Sequence, residues 1–202
     1  SNEQFDYDFS FAKIFEDKIY ILGEYYSKTG DDSQKTEYNK LGIYKKTYNK
    51  KTGVLLSDKK IPYSDLKKYI DIDEHGKVSK EGTLYFNDFE VRPDGTILVF
   101  GETYKSPNFF NAAYRFTELF SIVLNENFDI KELKSYNVNT TYAPKYSYGQ
   151  TLKNNKGYVS FFIDLNAEKK VILNTLIYKD ETNDFKMDKI ELEKKNRSEE
   201  RR

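Results

Sequence analysis

An all-β fold built from repeated four-stranded antiparallel meanders is what this 202-residue chain predicts. Three observations carry the prediction. Tyr and Phe number 18 and 15, and large rings of that kind suit pleated, half-buried surfaces. Helical periodicity is nearly absent. A strong apolar strand, framed by polar turns, recurs along the sequence.

The recurrence is clearest between Lys18-Ile19-Tyr20-Ile21-Leu22-Gly23-Glu24-Tyr25-Tyr26 and Thr96-Ile97-Leu98-Val99-Phe100-Gly101-Glu102-Thr103-Tyr104. Gly101 stands 78 residues after Gly23, and Phe11 falls on Phe89 at the same spacing. A third copy, Tyr158 to Asp164, aligns Gly157 with Gly95 and puts Asp164 where Glu102 stands. A turn precedes each copy: Glu16-Asp17, Pro93-Asp94-Gly95 and Asn154 to Gly157. Such sequences supply the positive φ that tight hairpins need.

Each unit then continues in the same order. A polar stretch leads to a second apolar run at Leu41–Tyr44, Leu119–Leu124 or Val171–Tyr178. Another turn follows, at Asn49 to Gly53, Asn125 to Asn127 and Asp180 to Asp184. A last strand closes the unit at Val54–Ile61, Ile130–Val138 or Phe185–Leu192. The expected units span about 5–70, 82–140 and 145–193, as one repeat domain with a polar, disordered tail at 194–202. The inner strands are apolar on both faces, as strands covered on both sides are. The last strands alternate, as in Lys189-Ile190-Glu191-Leu192, which predicts one face in water. The single helical candidate is Tyr63 to Ile70, with Ser64 as its cap.

The run Asp94 to Tyr104, reading Asp-Gly-x-Ile-hydrophobic-Val-Phe-Gly-Glu-x-Tyr, resembles the inner strands of β-propeller blades in uncharacterised bacterial exported proteins. The resemblance covers most of the chain as a pattern. It implies blade-like packing and an exported or surface location, and carries no site residues with it. Propellers usually have 4–8 blades. Three units therefore imply a fragment, a homodimer completing six blades, or an open stack.

Composition excludes several functions. Thirty-three basic residues balance 33 acidic ones, so no global field draws the chain to nucleic acid or anionic membranes. The lysines at Lys45, Lys46, Lys50 and Lys51 read as solvated strand edges. With no cysteine there is neither disulfide nor thiolate chemistry. No apolar run is long enough to span a bilayer. The polar start Ser1-Asn2-Glu3-Gln4 is no signal peptide, and Ser1-Asn2 resembles the scar of a removed tag.

Candidate site residues fall in three groups. Glu24, Glu102 and Asp164 hold equivalent places, where acids around an axis would bind a cation or sugar, or act as an acid/base pair; the simpler role is pairing with a nearby lysine. Tyr25, Tyr26, Tyr104, Phe109, Phe110 and Tyr114 flank loops, where rings anchor a sugar or protein or else cap the core's edge. Asp71-Ile72-Asp73-Glu74-His75-Gly76 resembles the first half of a Ca²⁺ loop. Asp71 and Asp73 are its candidate ligands, but the twelfth position is Gly82 rather than the bidentate Glu such loops need. His75, the lone histidine, leaves one route to a Ser-His-acid triad. No cofactor is expected. The expected function is a non-catalytic binding module engaging a protein or glycan through blade-end loops. The alternatives are a glycan-active enzyme using the three carboxylates and a purely structural module.

Overall fold

The computed structural model describes residues 5–28, 39–79, 82–107, 113–141, 146–152, 156–165, 168, 170–182 and 184–191. These residues form β1 (Phe5–Phe15), β2 (Lys18–Ser27), β3 (Lys40–Asn49), β4 (Leu55–Pro62), β5 (Lys77–Val78), β6 (Gly82–Val91) and β7 (Ile97–Lys105). They continue with β8 (Arg115–Leu124), β9 (Ile130–Thr141), β10 (Tyr146–Thr151), β11 (Gly157–Leu165), β12 (Val171–Lys179) and β13 (Asp184–Glu191). Every sheet is an antiparallel meander in chain order: β1-β2-β3-β4, β5-β6-β7-β8-β9 and β10-β11-β12-β13. The fold is all-β, and the two-residue β5 is the one addition to the four-stranded plan.

The chain divides into two compact units, Ser1–Pro144 and Lys145–Arg202. In the first unit two sheets pack face to face. Tyr20, Leu22, Ile43 and Ile61 of the first sheet share one buried cluster with Phe89, Val91, Ile97, Val99, Phe120 and Ile122 of the second. A 3₁₀ helix at Tyr63–Lys68 closes one end, contributing Tyr63 and Leu66 to that cluster. Its N-cap is Pro62, extended at φ −67° and ψ 149°, and no side chain caps it. Ser64 therefore does not cap the helix: proline's fixed φ sets the entry angle one residue before the first helical position, and Ser64 lies inside the turn.

A β-bulge explains the repeated glycine. Strict alternation would place Phe5, Tyr7, Phe9 and Phe11 on one face of β1. The register instead runs Phe9↔Gly23 and then Phe11↔Leu22, so Ser10 is the extra residue. Phe9 is left on the outer face, 61% exposed, while Phe11 turns inward to meet Phe89 with ring centroids 6.4 Å apart. The second sheet repeats the device with Phe86↔Gly101 and Asp88↔Phe100, and Asn87 is extra. The third slips between Tyr146 and Tyr148. A Cβ on Gly23 would run into the Asp8 carbonyl oxygen and lie 2.7 Å from the Tyr44 ring; one on Gly101 would lie 2.7 Å from the Tyr85 carbonyl oxygen. Glycine admits the bulged first strand at this close approach.

The register also corrects the repeat. Phe11 occupies the place of Asp88, the residue opposite Phe100, rather than that of Phe89. Phe11 and Phe89 are partners across the sheet interface, not equivalents within the repeat.

Turns follow their residues. Gly53 and Gly95 carry φ of +69° and +84°. Asn49 Oδ1 accepts from the amides of Lys51 and Thr52, and Asp94 Oδ1 from that of Thr96. In the second unit Tyr158, Phe162, Leu176 and Tyr178 are buried. Ile190, expected on the covered face of the last strand, is 53% exposed. It sits on β13, an edge strand paired on one side only.

Candidate binding surface

Four rings gather at one end of the second sheet. Tyr104 near the end of β7 pairs in register with Phe116 of β8, and Tyr85 of β6 is opposite Glu102. Tyr85, Tyr104, Tyr114 and Phe116 lie edge-to-face or tilted, with centroids 5.6–6.4 Å apart. Geometry of this kind favours the rings mutually and fixes their orientation. Tyr85 and Tyr114 are nonetheless 48% and 54% exposed. Rigid, half-exposed phenols with few rotatable bonds are what recognition surfaces use.

Tyr104 and Tyr114 were legible as loop-flanking rings. Tyr85 and Phe116 were not, since their sequence neighbours read only as strand; the signal lay in cross-strand register, which a linear reading does not carry. Phe109 and Phe110 lie outside the described residues. Tyr25 and Tyr26, expected as exposed rings, are each only 5% exposed. Tyr25 packs on Phe5 at 5.3 Å, and Tyr26 donates to Glu24. Both therefore cap the core's edge.

The carboxylates occupy separate surroundings. Glu24 accepts from Lys40 Nζ at 2.8 and 3.0 Å, from Tyr26 Oη at 3.4 Å and from Tyr63 Oη. Its side chain is 13% exposed and that of Lys40 is 11%. Tyr63 is wholly buried, and Gly76 presses on its ring so closely that a Cβ there would be 2.8 Å away. His75 next door is held too, its Nδ1 3.1 Å from the Lys40 carbonyl oxygen. Glu102 is fully buried and accepts from Asn87 Nδ2, the bulge residue, at 3.0 Å. Asp164 is buried in β11 of the second unit.

Asp73 Oδ1 accepts from the backbone amides of His75 and Lys77, both at 2.9 Å, which shapes the loop before β5. Asp71 is exposed beside it. Among the described residues no group of three or more His, Asp or Glu side chains is placed to hold a metal ion.

The buried phenols resist ionisation. Burial first, then the Glu24 charge, pushes Tyr63 well above its ordinary value of 10.0, and the same two causes raise Tyr26. Burial, with Asp8 adding to it, takes Tyr44 up to about 12. A group whose folded pKa is raised contributes stability that is whole below the unfolded value and is lost as pH climbs through the folded one. The fold should therefore hold to about pH 10 and lose stability steadily above it. Phenolate absorbance should rise in two stages, the second coinciding with loss of β-sheet circular dichroism. A single stage complete before unfolding would contradict this.

No helix among the described residues is long and apolar enough to cross a membrane. A crystal structure of a "putative hydrolase" from Bacteroides ovatus has 14% identity to the chain and a TM-score of 0.34, with 95% of this chain covered. The chain spans 46% of the length of that protein. No curated protein sequence matches it. A family model described as a family of unknown function, DUF6770, matches residues 2–114, which include the first sheet, the Glu24 cluster and the strands that carry Tyr85 and Tyr104. With more than half of its length so matched, the chain belongs to the DUF6770 family.

Proposed function

We propose that this chain is a non-catalytic binding module that engages a protein or glycan through the ring surface of Tyr85, Tyr104 and Tyr114. The exposure of Tyr85 and Tyr114 inside an ordered aromatic cluster is the observation that supports it. An acid/base pair needs two carboxyl groups facing one substrate. Glu24 instead faces Lys40 and two phenols, and Glu102 is closed from solvent. The meander sheets serve as blade-like supports: Phe11 on the first sheet and Phe89 on the second mate across their interface.

The chain has no tryptophan, so its emission is the sum over 18 tyrosines, and a change on binding is assigned to the surface by its loss in the ring variants. Titration with soluble polysaccharides should change that emission in a saturable way. Tyr85→Ala and Tyr114→Ala should each weaken binding about tenfold while leaving the melting temperature nearly unchanged. A protein ligand would give no response to any polysaccharide, but partner binding measured by interferometry with the same dependence on the two rings. Polysaccharide cleavage abolished by Glu102→Gln would overturn the reading.

A further inference from the structure

A second surface in the first unit carries a different chemistry. Lys45, expected as a solvated edge residue, is only 4% exposed. It points from β3 toward the second sheet. There its Nζ donates to the Glu126 carbonyl oxygen at 2.7 Å and stands 5.4 Å from the centre of the Phe128 ring. Its direct cross-strand partner on β4 is Lys59. Like charges directly opposite destabilise a sheet, and a buried ammonium without a counter-ion is costly. None of the ion pairs among the described residues involves Lys18, Lys45 or Lys59.

These three lysines line one cleft of about 300 Å³. Tyr20, Thr47 and Ser57 lie on the same sheet face, with Tyr20 opposite Thr47 and Thr47 opposite Ser57. The facing wall is Gly95 of the β6–β7 turn and Glu126 and Asn127 of the β8–β9 turn. Gly95 has no side chain to fill the opening, and Glu126 lies against it. Around Lys45 the ammonium groups of Lys59 and Lys18 face the one carboxylate of Glu126, while the Glu16 and Asp17 charges reach only the Tyr20 end of the cleft. Burial, reinforced by Lys59 and Lys18 and opposed by Glu126, holds the Lys45 ammonium below its usual range. The cleft is thus cationic at its Lys45 end.

We propose that this cleft binds the phosphate group of a small molecule, held by Lys18, Lys45 and Lys59, with the Thr47 and Ser57 hydroxyls as additional donors. A phosphate monoester is close to a dianion at neutral pH and suits the three clustered lysines. Lysine binds phosphate as a point charge, so three of them converging need no planar fork. The cleft does not include the Tyr85 surface, so the fate of one proposal leaves the other intact.

Calorimetric titration of the full chain with inorganic phosphate, at constant ionic strength in chloride, tests this. Saturable binding in the millimolar range or tighter is expected. Lys45→Met and Lys59→Gln should each weaken it about tenfold or more, the usual loss for one charge-assisted contact. Lys50→Gln, on the turn beyond the cleft, should bind as the wild type does. Lys59 is exposed, so its variant folds even if Lys45→Met does not. A parallel titration with glucose 6-phosphate separates the sources: tighter binding than inorganic phosphate indicates a phosphorylated sugar, and equal binding indicates the free anion. No heat of binding to either probe, or equal affinity in the wild type and Lys59→Gln, would overturn the proposal.

Discussion

Gly23→Val should abolish the native state of the first unit, or cost about 3 kcal/mol or more if any of it survives. A side chain at this position meets the Asp8 carbonyl oxygen and the Tyr44 ring, and the first of these is backbone. The Asp8 carbonyl cannot yield without parting β1 from β2, and parting them would withdraw Phe11 from Phe89. Gly101→Ala should cost less, because its nearest neighbour, the Tyr85 carbonyl oxygen, is 2.7 Å away and the next atoms are 3.5 Å away. Gly53→Ala meets nothing within 4 Å, and only its φ of +69° opposes the change, at about 1 kcal/mol. Urea unfolding of the three variants should give that order. Equal stability of Gly23→Val and Gly53→Ala would mean that the first strand is not bulged against Gly23.

Lys40→Met should destabilise the protein by about 2–3 kcal/mol. Breaking a largely buried ion pair strands the remaining charge, at about 3–5 kcal/mol when burial is complete. The lower figure reflects the tenth or so of each side chain that stays exposed and the two phenols still donating to Glu24. Adding Glu24→Gln to Lys40→Met should restore most of the loss, since a neutral amide needs no cation. A double-mutant cycle measured by thermal unfolding isolates the coupling. If the double variant is no more stable than Lys40→Met alone, the lysine acts through packing of its chain rather than through charge.

These two outcomes bear on how far the residues alone disclose the molecule. The strands were legible because three signals agree: apolar content, a bounding turn with Asn, Asp or Gly, and recurrence of the same order of runs and turns along the chain. Ile97–Lys105 and Val171–Lys179 follow directly from those signals. What stayed hidden depends on register. Ser10 and Asn87 shift the pairing by one residue, reversing which aromatic side chains face inward, and nothing local marks either as an extra residue. Lys45 was hidden for a related reason. In Tyr44-Lys45-Lys46 two lysines alternate across the sheet, so Lys46 lies 3.9 Å from the Tyr7 ring on one face while Lys45 is buried on the other. Composition marks both as surface residues; only the stacking of a second sheet separates them. For the candidate surface, Tyr104 was visible because it follows a repeated Gly-Glu pair, whereas Tyr85 is recognised only once β6 and β7 are aligned.

The chain-ordered pairing of every sheet has a consequence for how the protein is made. Among the described residues no strand of one sheet is borrowed from a distant part of the chain, so each meander is complete as soon as its own segment has been synthesised. The loops that must close are hairpins, whose entropic cost is small. The first sheet can thus assemble on the ribosome before β6 emerges, presenting Leu22 and Ile43 as a preformed face on which Phe89 and Val99 condense. Synthesis of the first unit would then proceed as deposition of its second sheet on a finished first one, and an interruption between them would leave a folded intermediate with one apolar face uncovered rather than an unstructured chain.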